Sequence, residues 1–382
     1  MKTSVSVKYI KAFLFLLFFA VGSLAIVSLI PNRMVEANVT YSRNFAPSGE
    51  YVNALDFKIR GSILDKPTES VMLKNSLNNE SMNPLKSIMD AQNYARYWHG
   101  YLIVLRPLLV FTDITGIYYV NMFVFYGLLA VLLYYIAVKL KPSYAVFLML
   151  AMVPAHFYII PCCMQYIGVF VIAFISSIIV LRNQDCDIGL LLFITGCLTS
   201  FFDFLTAPLI TLILPLSLYL LMKEKQLSVK DQLLSVVKYS ILWGIGYVFF
   251  WASKWIIGSL VLQKNVLLEA GNSLNERTGT FYMSRSLSVV GVINVYFGFH
   301  TIYMAVCIAI EVFAFTVLVM KKKHCIFWKL LIQIIPIIWY FLTSNHSLQH
   351  NFMTYRNVIV IAWLGIILVE SAIQNFRKES NA

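Results

Sequence analysis

Charge is scarce in this chain. Only 13% of its 382 residues are Asp, Glu, Lys or Arg, against 59% hydrophobic residues and a mean hydropathy of +0.75. A soluble domain carries roughly a quarter of its residues as charges. A chain this poor in them cannot clothe itself for water, so lipid must supply the cover. Acidic residues are scarcer than basic ones, 18 against 30, for a formal net charge of +12. The six cysteines show neither a CxxC pair nor Cys/His ligand spacing, so no disulfide framework and no structural metal is inferred. Cys162 and Cys163 are adjacent and poorly placed to bond each other. Internal repeats and low-complexity tracts are absent.

What the chain has in abundance is long apolar runs. Ten segments match the roughly 17–25 apolar residues that one bilayer crossing takes. They lie near 10–30, 116–138, 143–160, 163–181, 188–204, 206–222, 236–258, 298–320, 325–343 and 358–374. The first is longer than the apolar core of a signal peptide, and no convincing small-residue cleavage site follows it. It is expected to stay as a first helix. Basic residues mark every second connection: Lys2, Lys8 and Lys11, then Lys139 and Lys141, Arg182, Lys223 with Lys225 and Lys230, Lys321 to Lys323, and Arg377 with Lys378. By the positive-inside rule both termini are cytoplasmic. The basic excess is then a topology signal, and nucleic-acid binding is unsupported. The expected fold class is all-α, a polytopic integral membrane protein of about 10 transmembrane helices in a single transmembrane domain, 1–382.

Three polar stretches fall on the outer side of this arrangement. The first, 31–100 between the first two helices, is too long for a turn, and loops of that length are commonly functional. Its Asn83–Phe111 end mixes aromatic, basic and apolar residues, as interfacial helices do. The second is 259–297, containing NVLLEAGNSLNERTGTFYMSR, and the third is the short loop 344–357, within TSNHSLQHNFMTYRN. His99, His156, His300, His346 and His350 all fall near the outer boundary, together with Arg96, Arg106, Asp113, Asp203, Lys254, Tyr355 and Arg356. Ionisable groups at membrane depth are costly and mark substrate or ion paths; the plainer reading is that such residues anchor helices at the interface. Lys254 shares a helix face with Tyr247 and Trp251, and a cation beside aromatics suits a lipid phosphate; the plainer reading is snorkelling to the headgroups. Glu311 lies deep in its segment and reads as an internal pair or a proton-sharing group. Carboxylates that would serve as general base are Glu50, Asp56, Asp65 and Glu69 in SGEYVNALDFKIRGSILDKPTES, and Asp203 in SFFDFLT; the plainer reading of each is a solvated surface or capping carboxylate.

This layout resembles the GT-C superfamily of membrane glycosyltransferases: a cytoplasmic N-terminus, a long first outer loop with interfacial helices, then many helices with functional outer loops. Gly189–Leu216 looks like the paired short helices of that family. YARYWHGYLIVLRPLL (Tyr94–Leu109) and NHSLQHNFMTYRN (Asn345–Asn357) look like motifs of bacterial GT-C-like proteins of surface-polysaccharide loci. The resemblance implies transfer of a sugar from a polyprenyl-phosphate-type carrier to a glycan or lipid-linked acceptor at the outer face of the bacterial cytoplasmic membrane. It implies a catalytic acid in the first outer loop, with Asp56 first and Glu50 or Asp65 as alternates; Phe57 and Lys58 follow Asp56, so the family's paired-acid signature is missing. Lys254, Arg356 and His346 take the carrier-phosphate role, and Arg96, His99, Arg106, Asp203, His350 and Tyr355 line the substrate pocket. A monophosphate carrier requires no cofactor, since two cations suffice; a diphosphate carrier would bring Mg2+ or Mn2+. Competing readings are a transporter or flippase for lipid-linked sugars, an outer-face polysaccharide polymerase or ligase, and a structural membrane subunit.

Overall fold

Short polar side chains and prolines set the helix boundaries of this protein. The computed structural model describes residues 5–45, 52–53, 63–183, 185–278, 281–282, 285–286, 301–320 and 327–380. Helix α1 (Val5–Ser28) stops just before Pro31, whose ring and missing N–H break the helical ladder. Helix α2 (Asn32–Phe45) is amphipathic, and the two-residue strands β1 (Val52–Asn53) and β2 (Ile63–Leu64) pair antiparallel. Asp65 caps α3 (Lys66–Lys74), its Oδ1 accepting from Thr68 N at 3.2 Å. Asn83 caps α4 (Pro84–Asp90), and α5 (Leu102–Leu108) follows. Asp113 caps α6 (Ile114–Lys139), accepting from Thr115 N and Gly116 N.

Then come α7 (Pro142–Met152), α8 (Met164–Arg182), α9 (Ile188–Phe202) and α10 (Ile210–Lys223). Helix α11 (Val229–Leu262) is the longest and ends at Gln263, whose left-handed φ of 55° turns the chain into α12 (Val266–Thr278). A second small ladder joins β3 (Phe281–Tyr282) and β4 (Arg285–Ser286). The remainder is α13 (Thr301–Met320), α14 (Phe327–Leu342), α15 (Ser344–Gln349), α16 (Asn351–Thr354) and α17 (Val358–Ser380).

Among the described residues five helices are long and apolar enough to cross a membrane: Ser6–Ser28, Ile114–Lys139, Met164–Arg182, Val229–Leu262 and Asn351–Gln374. Five further apolar stretches are shorter, in α7, α9, α10, α13 and α14. At 1.5 Å per residue the 15-residue α9 rises only ~22 Å, less than a hydrocarbon core of ~30 Å. The segment expected to run unbroken over 143–160 is in two pieces. Helix α7 ends at Met152, Pro154 follows, His156 adopts a left-handed φ of 52°, and a 3-10 turn covers Phe157–Cys162. Phe18, Phe123 and Leu260 stand 79%, 83% and 74% exposed on the long helices. Large apolar side chains in such positions fit contact with lipid.

The helices α2 to α5 form a cap over one end of the bundle. Gly100 N donates to Phe201 O at 2.9 Å, and Trp98 Nε1 donates to Phe250 O at 2.8 Å. Trp251 and Trp255, one turn apart on α11, both donate their indole N–H to Arg96 O, at 2.8 and 3.0 Å. The cap is therefore fastened to α9 and α11 through backbone carbonyls. Its other anchor is Arg106, fully buried, which donates to Asn78 Oδ1 at 2.7 Å and to Ile30 O. Lys66, Glu69 and Tyr118 form a buried cluster that ties α3 to α6, and Glu69 also accepts from Met164 N at the start of α8.

Candidate functional site

Under the cap, α3, the turn after α4, the α9–α10 turn, α12 and α15 enclose a cavity of about 380 Å³. That lies within the roughly 300–1,000 Å³ usual for small-molecule sites. Two of its walls are backbone turns in an unfavourable conformation. Ala91, Gln92 and Asn93 are consecutive left-handed residues, with φ of 45°, 54° and 69°, and the first two line the cavity. Leu205, φ 64°, sits between the lining residues Phe204 and Thr206. Non-glycine residues avoid this region, and such strain gathers at functional sites.

The α9–α10 turn is shaped by Asp203. Its Oδ1 accepts from Thr206 N at 3.0 Å and Thr206 Oγ1 at 2.5 Å, while Oδ2 is buried with no hydrogen-bond partner. The carbonyl of Leu205 is taken by His346, whose Nε2 donates to it at 3.0 Å. His346 and His350 both line the cavity, with ring centroids 4.8 Å apart. Burial is the main cause that holds each imidazole below its usual pKa, so both are neutral, and Arg277 adds to the effect.

Asp65 stands at the edge of the same space. Its neighbour Thr68 lines the cavity, and the lining residue Gln165 donates Nε2 to Asp65 O at 3.0 Å. With Oδ1 engaged by the helix cap, Oδ2 is buried and lacks a hydrogen-bond partner. Asp65 faces His350 closely enough to favour its protonated form. The two other carboxylates of that outer stretch, Glu50 and Asp56, lie outside the described residues, as does His300.

Of the remaining expected residues, Arg96 and His99 form the layer behind Tyr94, which lines the cavity. Arg96 stacks 4.0 Å over the Tyr94 ring and pairs with Glu269 at 3.1 Å. His99 donates Nε2 to Tyr94 O at 2.8 Å, and burial takes its pKa down to about 3. Lys254, Arg356, Arg106 and Tyr355 are elsewhere. Lys254 is fully buried, donating to Met89 O at 2.8 Å; it neither snorkels nor reaches the cavity lining. Arg356 lies 4.4 Å from the Tyr166 ring centroid and donates to Phe352 O at 2.9 Å. Tyr355 Oη is 2.8 Å from His156 Nδ1. Arg106 serves the cap anchor described above.

The lining also contains residues that sequence reasoning passed over, above all Arg277, with Tyr94, Gln165 and Lys74. The spacing of Val266, Ala270 and Arg277 puts them at helical intervals on α12, but only packing shows that Val266 and Ala270 are its buried residues. Among the described residues no three of His, Cys, Asp and Glu converge as a group that would hold a metal ion. The fold and site define an all-helical protein with membrane-length helices and a capped cavity. Comparison with protein-family models, curated proteins and solved structures finds no match.

Proposed function

We propose that this chain is a GT-C-like glycosyltransferase of the bacterial cytoplasmic membrane, moving a sugar from a polyprenyl-phosphate carrier to an acceptor hydroxyl in the capped cavity. In this reading about ten apolar segments build the membrane domain, the short α7, α9 and α10 passing only part of the way through the bilayer, with the termini cytoplasmic and the cap facing outward. One observation carries it. A first-loop carboxylate with a free buried oxygen, Asp65, stands beside Thr68 and Gln165 at the edge of the space that His350 of the last loop and Arg277 of the middle loop line. Acid, histidine and cation are the parts a sugar transfer needs. The acceptor oxygen attacks the anomeric carbon, the carbon–oxygen bond to phosphate breaks, Asp65 takes the acceptor proton, and Arg277 offsets the charge left on the phosphate. Such a step needs no metal when the carrier is a monophosphate; Mg2+ or Mn2+ belongs to the diphosphate case. The acceptor is a glycan or a lipid-linked molecule.

The test uses purified full-length protein in lipid nanodiscs, a polyprenyl-phosphate carrier bearing a radiolabelled sugar, and membrane extract as the acceptor source. Wild type is expected to move label from the carrier. Asp65→Asn keeps the helix cap, because Asn caps as well as Asp, and is expected to lose roughly a hundredfold or more in rate. Full transfer by that variant would remove Asp65 from the chemistry. Movement of intact carrier across vesicles without any transfer of label would favour the flippase reading instead.

A further inference from the structure

One ionisable group of the apolar bundle takes no part in the site under the cap. Glu311 is the eleventh of the twenty residues of α13, and that helix carries no other Asp, Glu, Lys or Arg. Ile310, Val312 and Phe313 beside it are exposed large apolar side chains, which fit contact with lipid. Ala314, Val317 and Leu318 turn the other way and pack with Leu368 and Ala372 of α17. Glu311 shares the face of Ala314 and Leu318 and is half-buried, at the edge of this apolar seam.

Its carboxyl rests on the backbone of α17. A Cβ on Gly365 would lie 2.0 Å from Glu311 Oε1 and 2.7 Å from its Cδ, so the glycine leaves the notch that the carboxyl fills. No counter-charge meets it there. On the helices packed around the seam, Glu370 of α17 is taken by Lys141 at 3.6 Å and Ser143 Oγ at 2.9 Å, and Lys329 of α14 by Glu224. The remaining charges of α17 start at Arg377, ~18 Å along the helix from Gly365. Among the described residues Glu311 makes neither an ion pair nor a hydrogen bond. A bare carboxylate in hydrocarbon is far costlier than the neutral acid, so a group in this position keeps its proton.

We propose that Glu311, seated on Gly365, is an intramembrane proton-binding site at the lipid-facing edge of the bundle, a carboxylic acid open to covalent modification by lipid-dissolved carbodiimides. It lies apart from the capped cavity and does not depend on sugar transfer. The neutral acid suits the apolar seam and the carboxylate does not, so proton binding is linked to the closure of α13 on α17. Helix α17 starts directly after the loop that carries His346 and His350, which puts this seam on the element leading from the cavity. In the modification, the acid O–H adds across one C=N bond of the carbodiimide. The proton goes to one nitrogen and the oxygen bonds to carbon; the acyl group then migrates to the other nitrogen, giving an N-acylurea with no leaving group.

The experiment treats the full-length protein in lipid nanodiscs at pH 7 with dicyclohexylcarbodiimide or with a water-soluble carbodiimide, and locates adducts by peptide mass spectrometry. Glu311 is expected to carry the dicyclohexyl adduct and to be spared by the water-soluble reagent. Glu311→Gln should lose that adduct and melt close to wild type, since the amide is neutral and of the same shape. Gly365→Ala should lower the melting temperature by displacing the carboxyl, and the same change should cost less in a Glu311→Ala background. Absence of the dicyclohexyl adduct from Glu311, or equal modification by the water-soluble reagent, overturns the proposal. So does a Glu311→Gln variant that melts well below wild type, as loss of a charged and paired group would give. Equal costs of Gly365→Ala in the two backgrounds would mean that the carboxyl does not rest on Gly365, and would overturn it too.

Discussion

Gly196 of α9 and Gly246 of α11 face each other's helix at backbone contact. A Cβ on Gly196 would lie 2.2 Å from Trp243 O, and one on Gly246 would lie 2.2 Å from Phe193 O. Small residues let helices approach this closely where lipid gives no hydrophobic drive. The crossing also aims the far end of α9, where Phe201 O receives Gly100 N and Asp203 starts the cavity turn. Gly196→Ala and Gly246→Ala must push the pair apart, at a cost of ~1–3 kcal/mol each. Thermal unfolding in detergent should drop by several degrees for either variant. Because both relieve the same contact, the double variant should cost less than the two singles added. Wild-type stability in either single would show that the helices do not meet there.

Lys254 gives a second test through its contrast with Arg277. Its Nζ donates to Met89 O, so its charge supports the end of α4 and not the cavity. Lys254→Met retains most of the side-chain volume and removes the donor. Affinity of the protein in nanodiscs for a short-chain polyprenyl monophosphate is expected to stay within about twofold, while the melting temperature falls. A tenfold loss of affinity with an unchanged melting temperature would put the ammonium in contact with ligand after all.

How much of this was legible in the sequence follows from what each signal measures. Hydropathy sees length and apolar content, so the long helices could be read, while 188–204 and 206–222 were expected as crossings and are the shorter helices α9 and α10. It cannot see Pro154 and the left-handed His156 dividing the 143–160 run, because those are local backbone events. The 344–357 loop was singled out because it gathers His346, His350, Tyr355 and Arg356 between two apolar segments, and its two histidines line the cavity. Lys254 and Arg356 were chosen for charge at the right depth, but composition does not say which oxygen a cation is bonded to. Arg277 needed the burial of Val266 and Ala270, a fact of packing that no short motif carries.

His99 makes the stability of the cap depend on acid. Its pKa falls to about 3 through burial, against about 6.5 for an exposed histidine. Between those values the unfolded chain holds a proton that the folded chain does not. Stability contributed by neutral His99 is therefore present above pH 6.5 and is lost as pH falls, at ~1.4 kcal/mol per pH unit. His99→Asn suits the left-handed φ of 58° and cannot titrate. Melting temperature against pH from 7 to 5 should fall for wild type and be flatter for the variant. Identical slopes would mean that His99 is solvated in the folded protein.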